Sequence, residues 1–148
     1  MARDIKLKQD SNSCWDIDFL NGDFELTDGL DTALYLSVFG EKRASRSEVT
    51  EPTLRRGHFT NEFSAIQDYE VGSKLWLFID QAKNTESNLL SIENTVSEGL
   101  SWMIDDNIIS DSEVEAQRVD GGVEININLT NQTQEDSNYY NLFINTFR

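Results

Sequence analysis

The sequence predicts an α+β fold with an N-terminal β-hairpin, about three helices and a C-terminal antiparallel β-meander. Three observations predict this class. Polar and apolar residues alternate on both sides of Asn21-Gly22, apolar residues recur at helical spacing from 86 to 106, and alternation returns on both sides of Asp120-Gly121-Gly122. A chain of 148 residues has the length of one domain, so we expect a single domain spanning 1–148 with its own core.

The first predicted element is the β-hairpin. Residues 4–8 and 14–19 alternate between polar and apolar, which is the period of a half-buried strand. Asn-Gly at 21–22 is typical of a type I′ turn, because both residues tolerate a positive φ. We therefore expect residues 14–19 to pair with residues 23–27.

The first helix is predicted to follow the hairpin directly and to pack on it. Its side chains at helical spacing are Leu30, Ala33, Leu34, Ser37 and Val38. Thr27 or Asp28 can cap the first turn, and Asp31 complements the positive end of the helix dipole. Gly40 stands where a left-handed residue would end the helix.

Residues 40–70 show no sustained period, so we expect a long ordered loop. Loops of this length in a compact domain are usually functional or partner-bound. The loop holds the main basic cluster of the chain, at Lys42, Arg43, Arg46, Arg55 and Arg56. Two interpretations stay open, internal salt bridges to the acidic excess and a docking surface for an acidic partner.

Two further helices are expected after the loop. The run 75–79 is apolar on every side, which is typical of an enclosed short helix but would also suit a buried strand. From 86 to 106 apolar side chains stand three or four apart, at Leu89, Ile92, Val96, Leu100 and Met103. This spacing predicts an amphipathic helix of about five turns.

The C-terminal segment 111–147 is predicted to form antiparallel strands. Residues 113–119 and 123–130 alternate around the Asp-Gly-Gly turn, so the apolar side chains of the second strand should share a buried face. Residues 139–147 are nearly all β-formers and read as a last strand. We expect this last strand to lie at a sheet edge, where it could accept a strand from another chain.

The charge and cysteine content exclude several classes of function. Twenty-seven acidic against twelve basic residues give a net charge of -15, which repels phosphate backbones, so we expect no nucleic-acid partner. The single cysteine excludes an intramolecular disulfide, so we expect folding in a reducing cytoplasm. We expect neither a signal peptide nor a membrane-spanning segment, because the first residues lack an apolar h-region and no segment approaches 18 uncharged apolar residues.

The sequence offers little material for catalysis. With one histidine, His58, and one cysteine, Cys14, we expect no metal site, no cofactor and no enzyme of the Ser-His-Asp or Cys-His type. A glycosidase needs only two carboxylates, so a carboxylate-dependent, tail-associated cell-wall hydrolase is the alternative function. Glu41 and Glu51 are its nominal acids, although a solvated surface is the better account of each.

Three blocks of sequence follow one another along the chain. They are the run Gly22 to Phe39, which contains Asp28-Gly29-Leu30-Asp31-Thr32-Ala33, then Arg55-Arg56-Gly57, and Val71-Gly72-Ser73-Lys74-Leu75-Trp76-Leu77. Over about residues 15–130 this order resembles the baseplate wedge protein family of Mu-like contractile-tail phages, which is related to the sheath-initiator wedge proteins of contractile injection systems. The Glu-Pro-Arg signature that the broader group often carries after its long helix is missing at 108–113.

The resemblance implies a non-enzymatic structural subunit of the virion tail baseplate, made and assembled in the bacterial host cytoplasm. The implied partners are larger baseplate wedge proteins, the tail hub or spike and the first ring of sheath protein, with multiple copies in a symmetric baseplate. Neither nucleic acid nor membrane is an implied partner. The helices around Leu34, Trp76 and Leu100 would join a bundle with the wedge proteins, and strands 123–129 and 139–147 would offer the strand-exchange surface for the sheath.

The predicted partner contacts combine the basic loop with the C-terminal strands. They are Arg43, Arg46, Arg55, Arg56, His58, Phe59, Ile125, Ile127, Tyr139 and Phe143. Arg55 and Arg56 are included because they match the family's Arg-Arg-Gly. The strand residues follow from the strand exchange that the resemblance implies.

Overall fold

The computed structural model describes residues 3–9, 15–27, 29–63, 70–79, 86–132 and 137–145. The strands are β1 (Asp4–Ile5), β2 (Leu7–Gln9), β3 (Trp15–Ile17), β4 (Phe19–Leu20), β5 (Asp23–Phe24), β6 (Leu26–Thr27), β7 (Ile109–Val119), β8 (Gly122–Asn131) and β9 (Ser137–Asn145). The helices are α1 (Asp31–Phe39), α2 (Phe59–Glu62), α3 (Trp76–Ile79) and α4 (Glu86–Asp105), with a 3-10 turn at Pro52–Leu54. The α+β class is confirmed, with four α-helices in the described part of the chain where about three were predicted.

The chain divides into two compact units, Met1–Leu36 and Ser37–Arg148. The boundary falls inside α1, so the helix contributes residues to both units. The expectation of one domain stays a prediction. None of the helices in the described ranges is both long and apolar enough to cross a membrane.

In the first unit the N-terminal strands form three antiparallel ladders. β1 pairs with β6, β2 with β3, and β4 with β5. The ladders meet at Lys6, Asp18 and Glu25, whose backbones form a closed ring of hydrogen bonds. Lys6 N donates to Glu25 O at 2.8 Å, Glu25 N to Asp18 O at 2.9 Å, and Asp18 N to Lys6 O at 3.0 Å. The Lys6 ammonium also pairs with the Glu25 carboxylate at 2.8 Å.

The predicted hairpin is therefore only partly correct. The turn is confirmed, with Asn21 at φ 54° and Gly22 at φ 85° between β4 and β5. Residues 15–17 instead pair with β2, and residues 26–27 pair with β1. The prediction failed because alternation identifies a strand but not its pairing partner. A two-stranded hairpin alone is only marginally stable in water, and here strands β1 and β2 of the N-terminal segment pair with β6 and β3. Residue 14 lies outside the described residues.

Helix α1 begins where the sequence places it. The Thr27 hydroxyl accepts a hydrogen bond from Gly29 N at 3.3 Å and donates to the Asp31 carboxylate at 3.2 Å. Asp28, the other predicted cap, lies outside the described residues. In the first unit the helix packs on the strands as predicted, because Thr32 Oγ1 donates to Ile5 O at 2.6 Å and the Tyr35 ring lies 4.2 Å from that of Trp15.

The predicted end of α1 is correct, but its mechanism is wrong. Gly40 follows the helix, yet it is not among the left-handed glycines of the described residues. Instead, the chain turns into an extended segment in which Glu41 forms a parallel bridge with Ser73. The loop prediction for 40–70 is corrected in the same region, because the 3-10 turn and α2 lie inside it. Helices of three and four residues are too short to show a period in the sequence.

The core of the second unit combines α4 with the C-terminal sheet. The predicted apolar stripe of α4 is buried at Ile92, Val96, Leu100 and Met103. The sheet has the order β7-β8-β9, and the predicted apolar side chains of β8 are buried while Glu124, Asn126 and Asn128 lie on the opposite face. Glu93 of α4 accepts a hydrogen bond from Ala116 N of β7 at 2.9 Å. β9 is an edge strand of this sheet, as predicted.

Candidate functional site

Two of the sequence blocks, 55–57 and 71–77, meet in the second unit. The Arg56 guanidinium lies over the Trp76 ring at 4.6 Å, and its Nη1 donates to Glu41 Oε1 at 2.7 Å. Trp76 Nε1 donates to the Lys42 carbonyl oxygen at 3.0 Å. A cation over an indole face contributes about 0.5–2 kcal/mol, depending on its exposure. Arg56 and Trp76 thus hold the loop onto the start of α3.

A second set of contacts locks the 71–75 segment to the end of α1. The buried Ser73 hydroxyl donates to Val38 O at 2.6 Å and accepts from Leu75 N at 3.1 Å. Ser73 N donates to Gly40 O at 2.8 Å. Gly72 has φ 98°, and a Cβ at this position would overlap the Gly40 carbonyl. Only glycine fits this close approach without strain.

Arg55 is used inside the loop. Its Nε donates to Val49 O at 2.8 Å and its Nη2 to Thr50 O at 3.0 Å, so one guanidinium holds two consecutive carbonyls of the preceding turn. Ala44 N donates to Arg55 O at 2.9 Å. The internal interpretation of the basic cluster therefore applies to Arg55 and Arg56.

Replacing Arg55 by alanine is expected to lower the free energy of unfolding by about 1–2 kcal/mol, because two charge-assisted hydrogen bonds are lost at a partly exposed site. Arg46→Ala is the matched control, since Arg46 is exposed and has no hydrogen bond or ion pair within the described ranges. Urea unfolding of both variants measures the difference. Equal stability of the two variants would contradict the role of Arg55.

The same loop presents large apolar side chains to solvent. Leu54, Phe59 and Phe63 are 64%, 71% and 84% exposed. Phe59 and Phe63 are four positions apart along α2 and its end, so they share one face. We call these three side chains, with Arg43, which reaches Glu62 of α2, the loop patch.

His58 caps α2 beneath the loop patch. Its Nδ1 accepts a hydrogen bond from Thr60 N at 3.4 Å and lies 2.6 Å from the Thr60 hydroxyl. The imidazole stacks on the Phe59 ring with centroids 5.0 Å apart. Of the two predicted contacts in this segment, His58 is half-buried and orders the helix, whereas Phe59 is the exposed one.

Of the two remaining predicted arginines, Arg43 contacts α2 and Arg46 lies in the turn at 46–48. Arg43 Nη1 donates to the Arg56 carbonyl oxygen at 3.3 Å and lies 3.8 Å from the Glu62 carboxylate. Arg43 and Arg46 are both exposed. The structure thus divides four of the five basic residues into Arg55 and Arg56, whose guanidinium groups make short contacts within the chain, and the exposed Arg43 and Arg46, which have no such short side-chain ion pair in the described ranges. Lys42, the fifth, pairs with Glu70 and Glu98.

Glu48 ties the loop to the 71–75 segment. Its carboxylate accepts from Lys74 Nζ at 2.9 Å and from Ser45 N at 2.7 Å. The hydrogen bonds from Lys74 in particular lower the pKa of Glu48 to about 2. The stabilisation they provide is therefore complete above the ordinary pKa of 4.5 and is lost as the pH falls toward 2.

Replacing Glu48 by glutamine is expected to cost at most about 1 kcal/mol at pH 7, because the side chain is 36% exposed and solvent screens the pair. The cost should shrink toward zero in acid. Urea unfolding of wild type and Glu48→Gln at pH 7 and pH 3 tests this, with Glu115→Gln as a control at an exposed carboxylate. A cost that stays the same at both pH values would rule out the pair as its source.

The structure places the four predicted strand contacts on opposite faces. Ile125 and Ile127 are fully buried, because the alternation of β8 directs both to the core. Tyr139 and Phe143 lie on the outer face of β9 and are 66% and 43% exposed. Tyr139 OH donates to Asn126 Oδ1 at 2.7 Å. Of these four residues, only Tyr139 and Phe143 have side chains that a partner could contact. That a partner does contact them stays a prediction.

Sequence reasoning missed several exposed apolar residues. Leu54 and Phe63 belong to the loop patch, and the β4–β5 turn exposes Phe19, Leu20 and Phe24, with the two phenylalanine rings 5.2 Å apart. For Leu54 and Phe63 the available signal was an apolar residue outside any periodic pattern, because such a residue has no element to direct it toward a core. Phe19 and Phe24 lie in the alternating runs, and alternation gave no sign that both would be exposed.

The structure does not favour the hydrolase alternative at its nominal acids. Glu41 is paired with Arg56, and Glu51 is exposed, accepting a hydrogen bond from the Thr53 hydroxyl at 3.2 Å. Neither has the apolar surroundings that keep a general acid protonated. Within the described ranges, no group of three or more His, Cys, Asp or Glu is arranged to hold a metal ion.

A groove of about 290 Å³ lies between residues 72–74 and α4. At this groove Lys42 pairs with Glu70 at 3.4 Å and with Glu98 at 3.8 Å. Trp102, also in its lining, donates from Nε1 to the Ser37 hydroxyl at 2.8 Å. The lining mixes both charges and is mostly polar, so it lacks the apolar body of a typical small-molecule site.

The chain matches a known protein family. A family model described as phage protein GP46 covers residues 30–136, well over half of the chain, including the Arg-Arg-Gly block, the Gly-Ser-x-Leu-Trp block and the loop patch. No curated protein and no solved structure matches the chain. The chain therefore belongs to the phage protein GP46 family.

Proposed function

We propose that this phage protein is a structural subunit of a contractile-tail baseplate wedge, which joins larger wedge proteins around the hub and helps to initiate the sheath. The loop patch is the observation that carries the proposal. Exposed apolar residues scattered singly are normal, but three large ones within ten residues of a phage protein are typical of an interaction surface.

The support beneath the patch favours an assembly role. Arg56, Trp76 and the Arg55 guanidinium fix the loop through the contacts described above. A surface that is ordered before binding loses less conformational entropy when a partner arrives. A subunit that must join several proteins in one geometry benefits from such preorganisation.

The C-terminal sheet is the proposed contact for the first ring of sheath protein. β9 pairs with β8 on one side and carries Tyr139 and Phe143 on its outer face. An edge strand can accept a further strand through backbone hydrogen bonds, while its exposed side chains give specificity. The proposed partners also include the tail hub or spike, with multiple copies of the chain in a symmetric baseplate.

The proposed role is non-enzymatic and requires no cofactor. The net charge of -15 supports the expectation that nucleic acid is not a partner, because the chain repels phosphate groups. The proposal places the protein in the virion tail baseplate after assembly in the host cytoplasm.

Deletion of the gene, with complementation by tagged protein, tests the proposal. Without the protein we expect particles that lack sheathed tails, and with it we expect cryo-electron density for the chain in the baseplate. Tyr139→Ser with Phe143→Ser should reduce sheathed tails, whereas Leu90→Ser, which alters an exposed apolar residue on α4, is the matched control. Sheathed, contractile tails in the deletion strain, or absence of the chain from purified tails, would overturn the proposal.

A further inference from the structure

We infer that the outer face of the C-terminal sheet docks a basic segment of another protein, in which Lys or Arg stands beside apolar side chains. The inference rests on the proposed contact at this sheet and specifies the chemistry of the partner there. Three properties of the face carry it, namely its charge of one sign, its carboxylates that are open to a partner and its two exposed aromatic rings.

The register of the strands defines this face. Residues that are directly paired across neighbouring antiparallel strands lie on the same face of a sheet. The face has three rows, each with one residue from β7, β8 and β9. The rows are Glu113, Asn128 and Tyr139, then Glu115, Asn126 and Asn141, and then Gln117, Glu124 and Phe143. We call this surface the outer sheet face.

The outer sheet face carries charge of one sign. It contains three glutamates, whereas Arg118 is the only Lys or Arg within the described strands β7, β8 and β9. Arg118 is paired with the buried Val123, so it belongs to the opposite face of the sheet. A surface with carboxylates and no cation attracts basic groups and repels acidic ones.

Two of the three carboxylates are open to a partner. Glu113 and Glu115 are both exposed. Glu115 makes no hydrogen bond or ion pair within the described ranges, and Glu113 accepts one long hydrogen bond, from Asn128 Nδ2 at 3.4 Å. A Lys or Arg of a partner can therefore pair with either carboxylate without displacing a short contact inside the chain.

The third carboxylate belongs to a network that orders the middle of the face. Glu124 accepts hydrogen bonds from Asn141 Nδ2 at 2.7 Å and from Gln117 Nε2, and these bonds lower its pKa. Asn126 Oδ1 accepts from Asn141 Nδ2 and from Tyr139 OH, each at 2.7 Å. Side chains that are ordered before binding lose less entropy when a partner arrives.

The aromatic rings lie on the β9 side of the face. Tyr139 and Phe143 are 66% and 43% exposed and occupy the two end rows. Aromatic rings bury large areas at interfaces, and their faces attract Lys and Arg side chains. β9 and β7 are two strand spacings apart, about 10 Å, so one segment can contact the rings and the carboxylates together.

The charge also selects among the possible occupants. Two chains of net charge -15 repel each other, and the most basic stretch of this chain, 41–62, has five Lys and Arg against four Glu. A second copy is therefore less favoured. An acidic segment or a nucleic acid is repelled by the same carboxylates, whereas a basic segment is attracted by them.

Photo-crosslinking during phage assembly tests the inference. Benzoylphenylalanine replaces Tyr139 or Phe143 in the complemented deletion strain, cells that produce phage are irradiated, and the crosslinked site in the partner is identified by mass spectrometry. We expect a site on another protein whose flanking residues contain more Lys and Arg than Asp and Glu. The same probe at position 90, an exposed apolar position on α4, is the matched control and should not give that site.

Neutralisation of the open carboxylates is the second measurement. Glu113→Gln with Glu115→Gln should lower the crosslink yield from position 139 by about threefold. Asp105→Asn with Asp106→Asn changes the net charge equally, at exposed carboxylates away from the sheet, and should leave the yield unchanged. Circular dichroism of each variant shows whether the fold is retained.

The outcomes separate this inference from the proposed function. A basic site on a protein that is not part of the tail would overturn the proposed function but support a basic partner at this face. A tail protein crosslinked at an acidic or neutral site, a second copy, or no crosslink from either position would overturn the inference alone. Equal yields from the two double variants would also overturn it.

Discussion

Replacing Gly72 by alanine is expected to lower the free energy of unfolding of the second unit by about 3 kcal/mol. Two costs combine, the strain of a non-glycine residue at φ 98° and the overlap of its Cβ with the Gly40 carbonyl. Relief of the overlap would break the hydrogen bond from Ser73 N to Gly40 O and loosen the 71–75 segment. Guanidinium unfolding, followed by tryptophan fluorescence, measures the loss.

Gly22→Ala is the matched control for this prediction. Gly22 has a similar φ of 85°, but a Cβ there meets nothing within 4 Å. It should therefore cost about 1 kcal/mol, from backbone strain alone. Equal costs at positions 22 and 72 would show that the close approach to Gly40 is not what requires glycine.

The elements that were predictable from the sequence are those with a sustained period. α4 repeats its apolar residues over twenty positions, and β8 alternates over ten, so each pattern identified both the element and its buried face. The edge position of β9 followed from its place at the end of an antiparallel meander. In these cases local pattern and tertiary packing require the same residues.

The N-terminal ladders could not be derived in the same way. Their six strands have two or three residues each, and the choice of partner depends on the ring of backbone hydrogen bonds among Lys6, Asp18 and Glu25. Nothing in the alternation of polar and apolar residues encodes that ring. The short helices inside 40–70 escaped detection because one turn of helix has no period.

The candidate site shows a different limit. The sequence grouped five basic residues as one cluster, but the structure uses Arg55 and Arg56 as internal supports and leaves Arg43 and Arg46 at the surface. The Arg-Arg-Gly motif therefore identified two residues, Arg55 and Arg56, that stabilise the fold of the loop. The surface that those residues support, Leu54 with Phe63, lies beside the motif and could be found only from exposure.

Replacing Leu100 by alanine is expected to lower the free energy of unfolding by about 3 kcal/mol. Leu100 is fully buried on the apolar face of α4, between Val96 and Met103, so the truncation leaves a cavity in the core of the second unit. Alanine is an excellent helix former, so the loss reports on packing rather than on the helix itself. Urea unfolding gives the value through the shift in midpoint at constant slope.

Leu90→Ala on the same helix separates packing from helix propensity. Leu90 is 57% exposed, so its truncation removes little buried area and should change stability by less than about 0.5 kcal/mol. If the Leu100 variant lost no more stability than the Leu90 variant, α4 would not be packed against the core by its predicted stripe. A large loss at Leu100 alone would establish that the stripe holds α4 in the second unit, where the loop patch is also built.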